Sequence, residues 1–227
     1  MILSLFDQFD SPILLAMPLV ILAIFLPWPM IPTPTKHWWE NRTIVLLAWM
    51  LKSFAYQFIL PLAPEGRKWS VLFLSLVLML LTINMTGTLP YTFTSTTQLS
   101  ATLGLALPLW MATVLIGFRN HPVRSLAHML PPSTPPALVP VLIIIETISL
   151  FVRPLALGVR LAANLTAGHI ILQMIASSCY GVICMVGLAG VTSTLMLLAL
   201  MLLELMVAAI QAYVFVLLLS LYLQENV

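Results

Sequence analysis

Charge is what this sequence has least of. Its 227 residues include only 9 Lys and Arg and 7 Asp and Glu, so 7% of the chain is charged. Soluble domains carry roughly 25%. With 61% hydrophobic residues, the chain cannot cover itself with a polar surface. That excludes a soluble domain and points to a single multipass membrane domain over 1–227. A net charge of +2, with no basic patch interleaved with aromatics, gives no footprint for nucleic acid. Cysteine is also scarce. Cys179 and Cys184 sit in apolar surroundings and read as small packing residues, not as a disulfide or metal site. No cofactor is expected. The opening MILSLFDQFD carries two aspartates and no basic region, so neither a secretory signal nor an Arg-rich transit peptide is expected there.

What is present is long apolar runs. The hydropathy pattern predicts an all-α protein with an N-terminal span over 12–28, a two-span hairpin over 69–86 and 102–118, and two long segments over 137–178 and 188–224. Residues 37–60 differ. Leu47, Met50, Leu51, Phe54 and Phe58 share one face, with His37, Asn41, Lys52 and Tyr56 opposite, which fits a helix lying in the interface. Trp38, Trp39 and Trp49 suit the headgroup level. Basic residues set the orientation. Lys36, Arg42, Lys52, Arg67 and Lys68 put 30–68 inside, and Arg119 and Arg124 put 119–136 inside. The loop 86–102 has no charge and goes outside with the N-terminus, and the C-terminus returns inside.

The last two segments are too long for upright spans. About 40 helical residues extend about 60 Å, against a hydrocarbon core of about 30 Å. An unbroken helix of that length must tilt by roughly 60°, far beyond the usual average of about 20°. Two steeply inclined helices are expected, with their turn in SSCYGVICMVGLAG; kinks at lone residues such as Pro154 are the other solution.

Into this apolar pair the chain places Glu146, Arg153, Arg160, His169 and Glu204. Ionisable groups at such depth are costly and mark functional sites. Glu146, Arg153 and Arg160 are spaced by seven, so they stack on one helix face with Asn164, among Ser149, Ala156, Ala163 and Ala167. Small residues of that kind admit a close neighbour. On the last helix Glu204, Ala208 and Gln211 share a face. One antiparallel register sets Arg160 opposite Gln211 and His169 opposite Glu204, with its turn near residue 186. The result is polar groups in the outer half, a fixed cation midway and a carboxylate in the inner half. Histidine and carboxylates can relay protons. Arginine stays protonated and acts instead as an electrostatic barrier.

Blander readings apply elsewhere. For Arg153, packing or lipid-side anchoring stands beside a place in the charged set; His121 and His128 read as surface residues, Tyr213 as packing, and the methionines as core fillers. The Asn-X-Thr triplets at Asn41, Asn84 and Asn164 read as chance. A b-type cytochrome would need paired intramembrane histidines, and only His169 qualifies. A secondary transporter would show repeated halves, and none is visible. An antiporter-like subunit would spread its lysines and acids over several helices. A proton-translocating or purely structural subunit of another respiratory complex is the remaining alternative, and a structural subunit would tolerate Arg160→Gln without loss of proton flux.

The stretches IIIETISLFVRPLALGVRLAANLTAGH (143–169) and LLELMVAAIQAYVFVLLLSLYLQENV (202–227), with PLWMATVLIGFRN and PYTFTSTTQLS, resemble subunit a of the F-type ATP synthases in its vertebrate mitochondrial form. The resemblance covers essentially the whole chain. It implies a stator subunit with two offset half-channels beside a rotating c-ring. Arg160 matches the essential arginine that prevents leak; His169 and Glu204 match the polar pair of the intermembrane-space half-channel; Glu146 matches the matrix half-channel acid; Asn164 and Gln211 match polar residues flanking the arginine. It further implies no catalysis by the chain alone, a place in the mitochondrial inner membrane, protons as the transported ion, and as partners the c-ring, peripheral stalk subunit b, small accessory Fo subunits and lipid.

Overall fold

Backbone polar groups in a bilayer must be satisfied within their own segment, and a helix does so. A computed structural model describes residues 9–10, 13–14, 17–18, 23–25, 42–59, 66–89, 92–120, 122, 138–185 and 187–226. Its main elements are helices: α1 Arg42–Ile59, α2 Ser70–Gly87, α3 Leu99–Asn120, α4 Val139–Met185 and α5 Gly187–Asn226. A 3-10 turn, Gly66–Trp69, leads into α2. Among the described residues four stretches are long and apolar enough to cross a membrane: Arg67–Gly87, Leu99–Asn120, Val139–Gly181 and Gly190–Glu225.

Most of the N-terminal span expected over 12–28 lies outside the described residues. Within it Ile13–Leu14 pairs antiparallel with Met17–Pro18. Pro18 has no N–H to return to the preceding turn, and it biases Met17 away from helical geometry. Residues 23–25 are helical.

In α1, Leu47, Met50, Leu51 and Phe54 are partly buried while Lys52 and Tyr56 are exposed; His37, Asn41 and the Phe58 side chain lie outside the described residues. Its apolar stretch, Ile44–Gln57, is shorter than a span requires. The long helices are unbroken. Pro154 is buried inside α4, which continues through it for 47 residues, and only Val186 separates α4 from α5. Pro154 therefore does not divide the segment.

The chain forms two compact units. The first comprises Met1–Ile31, Met79–Thr102 and Arg160–Tyr213; the second comprises Pro32–Leu78, Leu103–Val159 and Val214–Val227. In the first, Leu80 and Ile83 of α2, Leu161 and Leu165 of α4, and Ala208 and Ala212 of α5 are buried. The two alanines are completely buried, as close helix approach requires. Thr86 turns its hydroxyl onto the Ile83 carbonyl, which satisfies it within its own helix. The charge-free loop after α2 is satisfied in part, since Ser95 Oγ and Thr96 Oγ1 are buried with no hydrogen-bond partner among the described residues. Thr92 donates to the Thr86 carbonyl at 2.7 Å, and Thr94 and Thr97 share a hydrogen bond at 3.0 Å.

In the second unit Phe73 and Val77, Ala106 and Trp110, Leu157, and Val216 and Leu219 are buried. Trp110 and Phe151 pack with ring centroids 6.1 Å apart. Gly158 sets the distance between α4 and α3. A Cβ added there would stand 2.8 Å from Leu103 Cδ2 and 3.5 Å from the Ala106 Cβ. Gly158→Val should therefore destabilise the fold by about 1–3 kcal/mol, the usual cost of overpacking. Thermal melting of the purified assembly reads this as a lowered midpoint, and an unchanged midpoint would show that α3 and α4 are not held this closely.

Candidate functional site

The ionisable residues of α4 and α5 fall into two groups, one in each unit. In the first unit His169 Nε2 lies 3.7 Å from Glu204 Oε1, with the two side chains 20% and 6% exposed. The cross-helix pairing expected from the register is present. At 3.7 Å it is an ion-pair distance and not a hydrogen bond. His169 also meets the backbone of Gly87 at the end of α2.

Gly168 makes room for this pair. A Cβ there would stand 2.8 Å from Glu204 Oε1 and 3.2 Å from its Cδ. Asn84 of α2 is fully buried, and its Nδ2 donates to the Ala208 carbonyl of α5 at 3.2 Å. Ala208 is one turn beyond Glu204 and on the same face. Gln173 is one turn beyond His169 on α4. Both Glu204 carboxyl oxygens, His169 Nε2, Gln173 Oε1 and Asn84 Oδ1 are buried with no hydrogen-bond partner among the described residues. Polar atoms at such depth need partners. A cluster of donors and acceptors, two of them titratable, is suited to holding water and passing protons. Gly168→Ala should push the carboxyl aside without unfolding the helix, since a flexible side-chain end can swing. Proton flux should fall several-fold with assembly intact; undiminished flux would show that the position of Glu204 is not critical.

Arg160 and Asn164 lie in the first unit, on α4. Arg160 is exposed and forms no ion pair with a described residue, although it stands inside the apolar segment Val139–Gly181. Ala163 and Ala167 beside it are exposed too, while Asn164 and Gln211 are partly buried. The helix thus displays a bare cation on a surface of small residues.

The second unit holds the other group. Arg153 Nη1 lies 2.5 Å from Glu225 Oε2, Arg153 Nη2 lies 3.7 Å from Glu146 Oε1, and the guanidinium sits 5.4 Å from the centre of the Tyr222 ring. Arg153 is therefore a cross-helix ion-pair partner. Within this unit the Arg153 guanidinium lies between the two acids, nearer Glu225 than Glu146.

Four participants lie beyond the residues that the sequence pattern singles out: Asn84, Gln173, Tyr222 and Glu225. Asn84 carries a usable signal as the lone amide in its apolar run, and Gln173 lies one turn from His169. Glu225 reads as an ordinary polar residue near the chain end until α5 brings it to Arg153.

A family model described as ATP synthase A chain matches residues 13–224. Curated relatives named "ATP synthase F(0) complex subunit a" match over their full length and the full length of this chain. Those of Scyliorhinus canicula and Salmo salar are each 58% identical to it, and that of Latimeria chalumnae is 54% identical.

Proposed function

The chain belongs to the ATP synthase A chain family, and from that premise we propose that it is the proton-conducting stator subunit of the Fo sector in the mitochondrial inner membrane. The observation that carries this is Arg160, a permanent cation exposed on a spanning helix with no counter-ion among the described residues. A charge in that setting calls for an acidic partner from another chain. A ring of c subunits, each presenting one carboxylate, supplies it, and Ala163 and Ala167 let such helices approach.

Protons enter from the intermembrane space past His169 and Glu204 and neutralise a ring carboxylate, which can then face lipid without a charge. After nearly a full turn the carboxylate gives its proton up toward Glu146 on the matrix side. It passes Arg160 ionised, flanked by Asn164 and Gln211, and returns to the entry side. The two access paths are offset, so protons cross only by turning the ring. The driving potential contributes about 2.3 kcal/mol per charge per 100 mV. Helices as long as α4 and α5 meet this need by lying inclined along the ring. The N-terminus faces the intermembrane space and the C-terminus the matrix, as the basic residues of 30–68 and 119–136 favour. Nucleotide chemistry belongs to other subunits of the synthase, and subunit b with small accessory subunits complete the stator. Vesicles carrying the assembled complex test the reading through ATP-driven proton pumping with Arg160 intact or replaced by alanine; unchanged pumping would overturn it.

A further inference from the structure

We propose that Arg153 is a positioning residue for Glu146, and that Glu225 and Tyr222 hold its guanidinium back so that Glu146 stays available to exchange protons. This rests on the reading of Glu146 as the matrix-side acid. Two carboxylates compete here for one guanidinium. Glu225 has it at 2.5 Å, a full charge-assisted hydrogen bond, while Glu146 is 3.7 Å away and outside hydrogen-bond reach.

That outcome is not the local default. Long side chains on a helix lean toward its N-terminus, so Arg153 is aimed along α4 at Glu146, two turns earlier. The restraint comes from α5. Tyr222 and Glu225 are three residues apart and share a face. The ring lies 5.4 Å from the guanidinium, in cation–π range, and the carboxylate takes Nη1. The planar guanidinium has a second edge, and Nη2 is left toward Glu146.

One cation between two acids leaves one negative charge over. Glu225 takes up the pairing, so the remainder falls on Glu146. A carboxylate locked to an arginine must break that lock before it accepts a proton, and one held at 3.7 Å need not. If Glu225 did no more than tie the end of α5 to α4, removing Arg153 as well could not repair its loss.

The experiment uses the assembled synthase in vesicles and reads ATP-driven pumping per assembled complex. Glu225→Gln should let Arg153 close on Glu146 and slow pumping roughly ten-fold, the effect of one added charge-assisted hydrogen bond. Adding Arg153→Gln should restore most of the rate. A double variant as slow as Glu225→Gln, or slower, would overturn the proposal, because Glu225 would then act as a proton carrier or a structural tie. Should Glu225→Gln not assemble, Tyr222→Leu removes the ring and no charge; it should slow pumping in the same way and be relieved by Arg153→Gln, and a failure of that relief would equally overturn the proposal. Glu146→Gln tests the underlying reading separately. Normal pumping in that variant would remove Glu146 from the path and the positioning role with it.

Discussion

Arg160→Ala should abolish ATP-driven proton pumping by the assembled synthase while passive proton flow through the membrane sector persists or rises. The reasoning starts from exposure. Arg160 stands in the apolar stretch of α4 with no ion-pair partner among the described residues, so its field is free to act on whatever passes. A carboxylate brought to about 4 Å gains about 4 kcal/mol of attraction at an effective dielectric near 20. Each 1.4 kcal/mol or so is a factor of ten, so the ionised form is favoured over the protonated one by roughly a thousand-fold at that point. A carboxylate that cannot pass protonated cannot carry a proton directly from one access path to the other. With alanine that restraint is gone, protons short-circuit, and the ring turns without net transport. Arg160→Lys keeps the charge but replaces a planar fork with a compact ammonium, so it should retain part of the barrier and little of the coupling. Vesicle acidification driven by ATP, followed by leak after removal of the catalytic head, separates the two effects. Normal acidification in the alanine variant would return Arg160 to a structural charge.

Much of this is legible in the amino-acid sequence alone, and the reason is the solvent. In a bilayer each charged residue is an exception that needs a cause, so Glu146, Arg160, His169 and Glu204 stand out by rarity alone. The register of the last two helices follows from matching the depths of their polar residues, and the 3.7 Å approach of His169 to Glu204 agrees with it. What is not legible falls under two physical headings. One is backbone chemistry that hydropathy does not register, as at Pro18, which has no N–H and pairs with Ile13. The other is tertiary pairing. Asn84 donates to the carbonyl of Ala208, 124 residues away, and no periodicity encodes that bond. Arg153 likewise has only Glu146 for a partner in a reading confined to α4, because Tyr222 and Glu225 come from α5.

Glu204→Gln should lower coupled ATP synthesis at least ten-fold without opening a leak, in contrast to Arg160→Ala. Glutamine keeps the size and most of the hydrogen-bonding capacity of the side chain, so packing against Gly168 and the bond from Asn84 to Ala208 are undisturbed. What it loses is the ability to bind and release a proton. Glu204 is 6% exposed and both its oxygens lack a hydrogen-bond partner among the described residues, so no hydrogen bond there accounts for its burial. A buried carboxyl with no hydrogen bond to maintain is costly to keep unless transport needs it. His169→Asn should be the milder change, since the neighbouring carboxyl still titrates. The decisive variant exchanges the two residues, His169→Glu with Glu204→His. It keeps both titratable groups at one depth on facing helices. A relay that needs only titratable groups at that depth should recover much of its flux in the exchange, whereas Gly168, whose missing Cβ admits the Glu204 carboxyl, limits how far a bulkier imidazole can follow. Synthesis driven by an imposed proton gradient in vesicles reads all three variants, with passive leak as the control. If Glu204→Gln sustained normal synthesis, the entry path would have to run elsewhere than through this pair, and Asn84 and Gln173, whose side-chain oxygens are also buried with no hydrogen-bond partner among the described residues, would be the next residues to replace.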